Sequence, residues 1–262
     1  MFQWNPQEYA SHSAAQLVWA RELITRLHLR GDEAILDIGC GDGKITAEFA
    51  AIVPRGRVLG TDLAAEMIDY ARETFPPGRF PNLEFRRQDA RSLEGEQDYD
   101  LIFSNAALHW VSDQHAVVLG AGRALRGGGR LVISCGGRGN ASEILAELDT
   151  LLAEPLWEPY FQGFKNPYTF LGPEDYAPWL AEAGLEPLRL ELAEKDMRQA
   201  GKEGLAAWIR TTWMPYTHQV PEELRERFIN ELAERHLARH PLDAAGVCHV
   251  RMVRLEVEAR KS

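Results

Sequence analysis

Ile35-Leu36-Asp37-Ile38-Gly39-Cys40-Gly41-Asp42-Gly43 is an apolar run that breaks into an acidic, glycine-rich loop. A carboxylate near the end of a buried strand, followed by alternating glycines, has the form of a nucleotide site at the carboxyl edge of an open α/β sheet. The glycine spacing narrows the choice. Dinucleotide folds carry G-x-G-x-x-G so that a helix N-terminus meets a pyrophosphate, and here Lys44 stands where the third glycine belongs. The phosphate-binding loop of ATPases is excluded too, because Ile38 falls on its first glycine and Ile45 on its metal-binding Ser/Thr. What is left is a loop that brings backbone close to a ligand, beside a carboxylate, with no phosphate to hold.

Outward from this loop, helix and strand patterns alternate. Apolar spacing predicts a helix over about 11–27, then strands over 34–38, 57–61, 83–87, 101–104 and 130–135. Helical patterns fall between them near 45–52, 64–74 and 114–125. Such alternation implies a doubly wound, Rossmann-like α/β fold with helices on both faces of a mostly parallel sheet. Gly127-Gly128-Gly129 is read as the end of a helix and a sharp turn. Past Cys135 the rhythm changes: helices are expected over about 141–152, 173–183, 203–213 and 221–239, and an aromatic stretch carries Trp157, Tyr160, Phe161, Phe164, Tyr168 and Phe170. Strands near 185–192 and 247–258 would bring the sheet to seven, the last one antiparallel. The expectation is one domain over 1–262, with its core at about 30–135 plus the C-terminal strands and a helical cap inserted at about 140–172 and 197–242.

The 262 residues, 45% hydrophobic and 26% charged, suit a globular chain of this size. No apolar run approaches the roughly 20 residues of a membrane span, and Met1-Phe2-Gln3-Trp4-Asn5-Pro6 lacks the pattern of a secretion signal. Cys40, Cys135 and Cys248 form no C-x-x-C pair, so no metal site is expected and reduced thiols in a cytoplasmic protein are the reading. Cys40 is either a small filler of the loop or a nucleophile. A formal net charge of −10 argues against nucleic acid as a partner and leaves a small-molecule substrate. Arg251, Arg254 and Arg260 gather late in the chain, and Arg225, Arg227, Arg235 and Arg239 interleave with glutamates in the manner of a solvated helix face. No feature marks a pairing surface for oligomers.

Four positions would converge at the strand ends. The Asp37–Gly43 loop, with Gly39 and Gly41, leaves room for a methionine-like moiety. Asp62 stands about 21 residues past Gly41, the spacing at which a carboxylate meets ribose hydroxyls. Asp89 follows the third strand, placed to accept from an adenine amino group, and Leu63 and Ala90 beside the two carboxylates complete the cofactor-facing set. Asn105-Ala106-Ala107-Leu108-His109-Trp110 follows the fourth strand, beside the reacting group. A ligand with adenosine and a methionine portion but no phosphate is S-adenosylmethionine.

The order of these motifs over about 30–135 resembles the class I S-adenosylmethionine methyltransferases. Within them, Trp4-Asn5-Pro6-x-x-Tyr9, Asn105-Ala106-x-x-x-Trp110 and the region from Trp208-Ile209-Arg210 to Pro241 are similar to the trans-aconitate methyltransferases. That resemblance implies methylation of a carboxylate of a small acid, and an N-terminal segment folded over the cofactor with Tyr9 near its methionine end. One departure stands out: His109 takes the place of a glutamine before the tryptophan.

Methyl transfer from a sulfonium requires alignment of nucleophile, methyl and sulfur with water excluded. A carboxylate nucleophile is ionised at neutral pH and needs no base, but it needs donors. Asn105 and His109 are the candidate catalytic residues; His109 is a general base for a hydroxyl, a hydrogen-bonding substitute for glutamine, or a structural histidine. Trp110, Arg138 and Arg210 are the candidate substrate contacts, with Arg198 a further cation, each arginine either gripping a carboxylate or sitting in a surface ion pair. Methylation of a hydroxyl, a nitrogen or a carrier-bound malonyl group, and a cofactor-binding regulator without catalysis, are the alternatives.

Overall fold

The opening run becomes β1 (Ala34–Ile38), buried at all five positions, as a continuous apolar strand is when it lies inside a parallel sheet with both faces covered. The structure is a computed structural model that describes residues 14–262, with side chains from residue 17 onward. Strands β2 (Arg57–Asp62), β3 (Leu83–Arg87), β4 (Tyr99–Asn105), β5 (Leu125–Gly136), β6 (Leu185–Ala200) and β7 (Val247–Lys261) complete one sheet in the order β3-β2-β1-β4-β5-β7-β6. The pairs β1/β2, β2/β3, β1/β4 and β4/β5 are parallel, and β7 runs antiparallel to β5. Strand order therefore reverses between β1 and β4, and the loops leaving the carboxyl ends of these two strands open beside each other.

Successive side chains of a strand point to opposite faces, and each face has its own cover. Ile35, Leu101 and Phe103 pack with α1 (Ala14–Arg26), α2 (Lys44–Ile52) and α3 (Ala65–Thr74) through Leu23, Phe49 and Ile68. Leu36, Ile102 and Leu131 pack with α4 (Gln114–Ala124) and α6 (Pro173–Glu182) through Val117, Ala121, Tyr176 and Leu180. Helices on both faces of a mostly parallel sheet are the doubly wound arrangement that the alternating patterns predict.

By compactness the chain divides into two units, one holding 14–138, 168–193 and 254–262, the other 139–167 and 194–253. The second unit contains α5 (Ser142–Leu152), α7 (Gly201–Thr212), α8 (Met214–Thr217) and α9 (Glu222–Arg239). Its own core is aromatic: Trp157 meets Phe228 edge-on at 5.1 Å, and Phe161 stacks on Phe228 at 5.7 Å.

Two boundaries differ most from the sequence expectation. β5 starts at Leu125, and the triple glycine lies inside it: Tyr99 pairs with Leu125 but Leu101 with Arg130, so the glycines bulge out of the ladder. β6 continues to Ala200 although its apolar run ends at Leu192. Within the second unit this extension is held by charges across from β7, Glu194 with Arg251 and Asp196 with His249, the latter at 2.8 Å.

Candidate functional site

The loop after β1 is fixed by its neighbour strand. Gly39 and Cys40 donate their backbone N–H groups to the Thr61 carbonyl at 2.7 and 2.9 Å, continuing the β1/β2 ladder into the turn. Gly39, Gly41 and Gly43 all adopt positive φ, which glycine does without strain. At Gly39 the lack of a side chain also answers a contact within the protein, since a Cβ there would lie 2.1 Å from Cβ of Ala107. The first loop and the loop after β4 therefore touch.

Asp62 ends β2 with one backbone donor on each carboxylate oxygen: Gly41 N–H to Oδ2 at 3.0 Å and Ala64 N–H to Oδ1 at 2.9 Å. Asp37 is buried, and the Thr46 hydroxyl on α2 donates to its Oδ2 at 2.7 Å. Burial pushes the Asp37 carboxyl up to about 7, with Thr46 opposing and the negative charges of Asp62 and Asp42 reinforcing. Burial also raises Asp62, against the backbone N–H groups that it accepts. The same burial raises Cys40 well above the ordinary thiol range, so Cys40 is an inert thiol filling the loop rather than a nucleophile.

Leu63, next to Asp62, leaves 44% of its surface exposed. Asp89 begins a single 3-10 turn over Ala90–Ser92 by accepting the Arg91 N–H at 2.9 Å. The Arg91 guanidinium grips both of its oxygens and holds Asp89 below the usual carboxylate range. Ala90 is half-buried beside it.

The loop after β4 opens with Asn105, buried at the strand end, and Ala106, a non-glycine residue at φ 58. The backbone then makes a 3-10 turn over Leu108–Trp110. His109 Nδ1 accepts the Gly136 N–H from β5 at 3.2 Å. The imidazole lies amid Trp110, Tyr168 and Phe170, with ring centroids 5.8, 6.1 and 6.0 Å away. Burial, with the Arg254 cation nearby, pushes His109 down to about 3, so the ring is neutral at any physiological pH. An Nδ1 that accepts leaves the proton on Nε2.

The sequence-predicted residues thus fall into groups. Asp37, Gly39, Gly41, Asp62 and Leu63 meet at the β1/β2 ends, Asp89 and Ala90 sit after β3, and Asn105, His109 and Trp110 follow β4. The two candidate arginines are engaged with acids. Arg138 pairs with Glu174 and, at 2.7 Å, with Asp175. Arg210, in the second unit, grips Glu226 with bonds of 2.8 and 2.6 Å. Arg198 is exposed on β6, and Tyr9 lies outside the described residues. By sequence Tyr168 and Phe170 stand out only as members of the aromatic stretch and Arg254 only as one of the late arginines, and Gly136 and Ser134 have no site role. Tyr168 and Phe170, two apart in an extended segment, stack at 5.5 Å on one side of the chain; Arg254 announces itself only as a cation inside a buried apolar strand. Among the described residues no cluster could hold a metal ion, and no helix is long and apolar enough to cross a membrane.

A glycine loop after β1, a carboxylate ending β2 and an antiparallel β7 beside β5 make up the layout of a class I methyltransferase. Residues 35–129 match the family described as a methyltransferase domain. An uncharacterized methyltransferase of Schizosaccharomyces pombe is 30% identical over 247 residues, spanning 87% of this chain and 88% of the relative. A trans-aconitate 2-methyltransferase of Escherichia coli is 26% identical over 263 residues and spans all of both chains. Among solved structures, the geranyl diphosphate C-methyltransferase of Streptomyces coelicolor, crystallised with S-adenosyl-L-homocysteine, superposes with a TM-score of 0.55 at 16% identity, covering 94% of this chain and 81% of that one. The chain belongs to the class I S-adenosylmethionine-dependent methyltransferases.

Proposed function

We propose that this enzyme methylates a carboxylate oxygen of a small acid, forming a methyl ester. The observation that carries this reading is the hydrogen bond from Gly136 to His109 Nδ1. With Nδ1 occupied and the proton on Nε2, His109 presents a donor and no free lone pair, so it is not set to deprotonate a hydroxyl or an ammonium. A carboxylate needs no deprotonation at neutral pH; it needs a donor to hold it, which is what Nε2–H offers. The full-length similarity to a trans-aconitate 2-methyltransferase supports the same acceptor class.

The strand ends fit S-adenosylmethionine. Asp62 accepts backbone N–H groups on both oxygens, and a carboxylate has further acceptor capacity for the ribose hydroxyls of an adenosine. Leu63 offers an exposed apolar surface to the adenine with Ala90 opposite in the chain order, and Asp89, kept ionised by Arg91, accepts from its amino group. Asp37, Asp42 and Asp62 concentrate negative charge around the Gly39–Gly43 loop, which suits a ligand bearing an ammonium and a sulfonium. Asn105, and by resemblance Tyr9, serve the methionine end. When bound, the cofactor supplies an electrophilic methyl group on its sulfonium sulfur.

The remaining work belongs to the chain. Asn105 and His109 orient the acceptor from the loop after β4, and Trp110, Tyr168 and Phe170 exclude water beside it. Arg138 enters this reading only as a cation that exchanges a protein carboxylate for that of the substrate. The test is incubation with methyl-labelled S-adenosylmethionine and a pool of small carboxylic acids that includes trans-aconitate. Label released by mild alkali identifies a methyl ester, and splitting the pool finds the acid. Alkali-stable label on a hydroxyl or amine compound would overturn the carboxylate reading.

A further inference from the structure

Arg254 is 3% exposed, inside a stretch of β7 that reads Val253-Arg254-Leu255-Glu256-Val257 and is buried throughout. Burying a guanidinium carries a desolvation penalty that good partners only offset, so its partners tell what the position is for. Nη2 donates to the Ser134 carbonyl at 2.5 Å and to Asn105 Oδ1 at 3.2 Å, while Nε donates to Ser134 Oγ at 3.2 Å. The guanidinium also lies 5.4 Å over the Trp19 ring. The same Ser134 carbonyl accepts the Ala106 N–H at 2.8 Å. In the antiparallel register Arg254 stands opposite Gly136, whose N–H goes to His109.

One rung of the sheet therefore reaches both ends of the loop after β4. We infer that Arg254 is a positioning residue for the acceptor side of the site: it holds Asn105 directly and, through Ser134 and Gly136 of β5, sets the place of His109. Its hydrogen bond to Oδ1 turns the Asn105 amide so that the Nδ2 donors point away from the guanidinium. Its charge adds to the burial that keeps His109 neutral, which preserves the tautomer that Gly136 selects. Arginine suits this task because its planar fork addresses a carbonyl, a hydroxyl and an amide at once, which a lysine ammonium on a flexible stem does not.

The inference rests on the reading that this loop faces the methyl acceptor, but its test uses no acceptor. Histidine and asparagine side chains of the full chain are followed by nitrogen-detected NMR from pH 4 to 8, in the parent, Arg254→Lys and Arg254→Met. In the parent, His109 stays neutral with its proton on Nε2 over the whole range. In Arg254→Met the proton affinity of His109 is expected to rise at least tenfold, with loss of the single tautomer and a displaced Asn105 amide signal. In Arg254→Lys the His109 titration stays close to that of the parent while the Asn105 signal still moves. A single cooperative thermal transition establishes that each variant is folded. A folded Arg254→Met with parent-like His109 and Asn105 signals overturns the inference; should that variant not fold, an unmoved Asn105 signal in Arg254→Lys does so. Failure of the parent to esterify any acid would count against the proposed function and leave these titrations readable.

Discussion

Gly136 and His109 are joined by a backbone-to-ring hydrogen bond of 3.2 Å in which the N–H donates to Nδ1. Gly136 is the last residue of β5 and His109 belongs to the turn after β4, so the parallel pairing of those strands sets the distance. A single tautomer follows from sheet register.

This makes His109→Gln a mild substitution, because glutamine restores an N–H donor. Its kcat/KM is expected within about fivefold of the parent, whereas His109→Leu, which loses one hydrogen bond, falls by about tenfold. Steady-state kinetics on the active acid distinguishes this from loss of a general base, which would cost both variants about 100-fold or more. There is a stability counterpart. The folded-state pKa of His109 is pushed down to about 3, so the unfolded chain binds the extra proton first. The fold therefore loses stability as pH falls from the ordinary histidine range toward 3, and denaturant titrations from pH 7 to 4 should show a shallower loss in His109→Gln.

Asp37 gives the opposite slope. Its carboxyl is raised to about 7, so its neutral form favours the fold at low pH and that contribution is lost as pH rises through 7. Ionisation strengthens the attraction for a cationic ligand, and the affinity for S-adenosylmethionine should rise between pH 6 and 8. Calorimetric titration across that range is the check. Asp37→Asn, which keeps an acceptor for Thr46, should flatten the dependence and raise the Tm at pH 8.

Asp62→Ala removes the acceptor for Gly41 and Ala64 together with the proposed ribose contact. Charge-assisted hydrogen bonds contribute about 1.5–3 kcal/mol, so the Kd for S-adenosylhomocysteine should rise at least about tenfold. Unchanged affinity by calorimetry would remove Asp62 from the cofactor site.

Gly39→Ala forces a methyl onto Ala107 at a positive φ. Overpacking of this kind costs about 1–3 kcal/mol. Ala107→Gly should recover part of the loss, and a double-mutant cycle in Tm would measure the contact between the two loops.

Much of the sheet could be read from the chain because the strands of the first half are short segments, apolar throughout or alternating, between turn residues. β1 and β3 have the predicted bounds, and β2 and β4 extend theirs by one to three residues. The end of β6 was not legible, since Glu194 and Asp196 look like loop residues until Arg251 and His249 stand opposite them. In the candidate site, the juxtaposition of the glycine loop and Asp62 followed from local spacing. Arg254 did not, because its meaning lies in Asn105, 149 positions away in the chain. Nor did the aromatic stretch reveal that Tyr168 and Phe170 flank His109 while Trp157 and Phe161 pack on Phe228.

Ala106 carries a left-handed backbone at the entrance to the acceptor loop, a conformation in which any residue but glycine is strained by about 1 kcal/mol or more. Here a residue with a side chain stands where glycine would sit without strain. Ala106→Gly should relax that strain, deepen the conformational freedom of the loop and widen the range of acids accepted, readable as a flatter profile of rates across an acid panel. Laboratory evolution aimed at new acceptors would therefore include this backbone position as well as the side chains proposed to meet the acceptor.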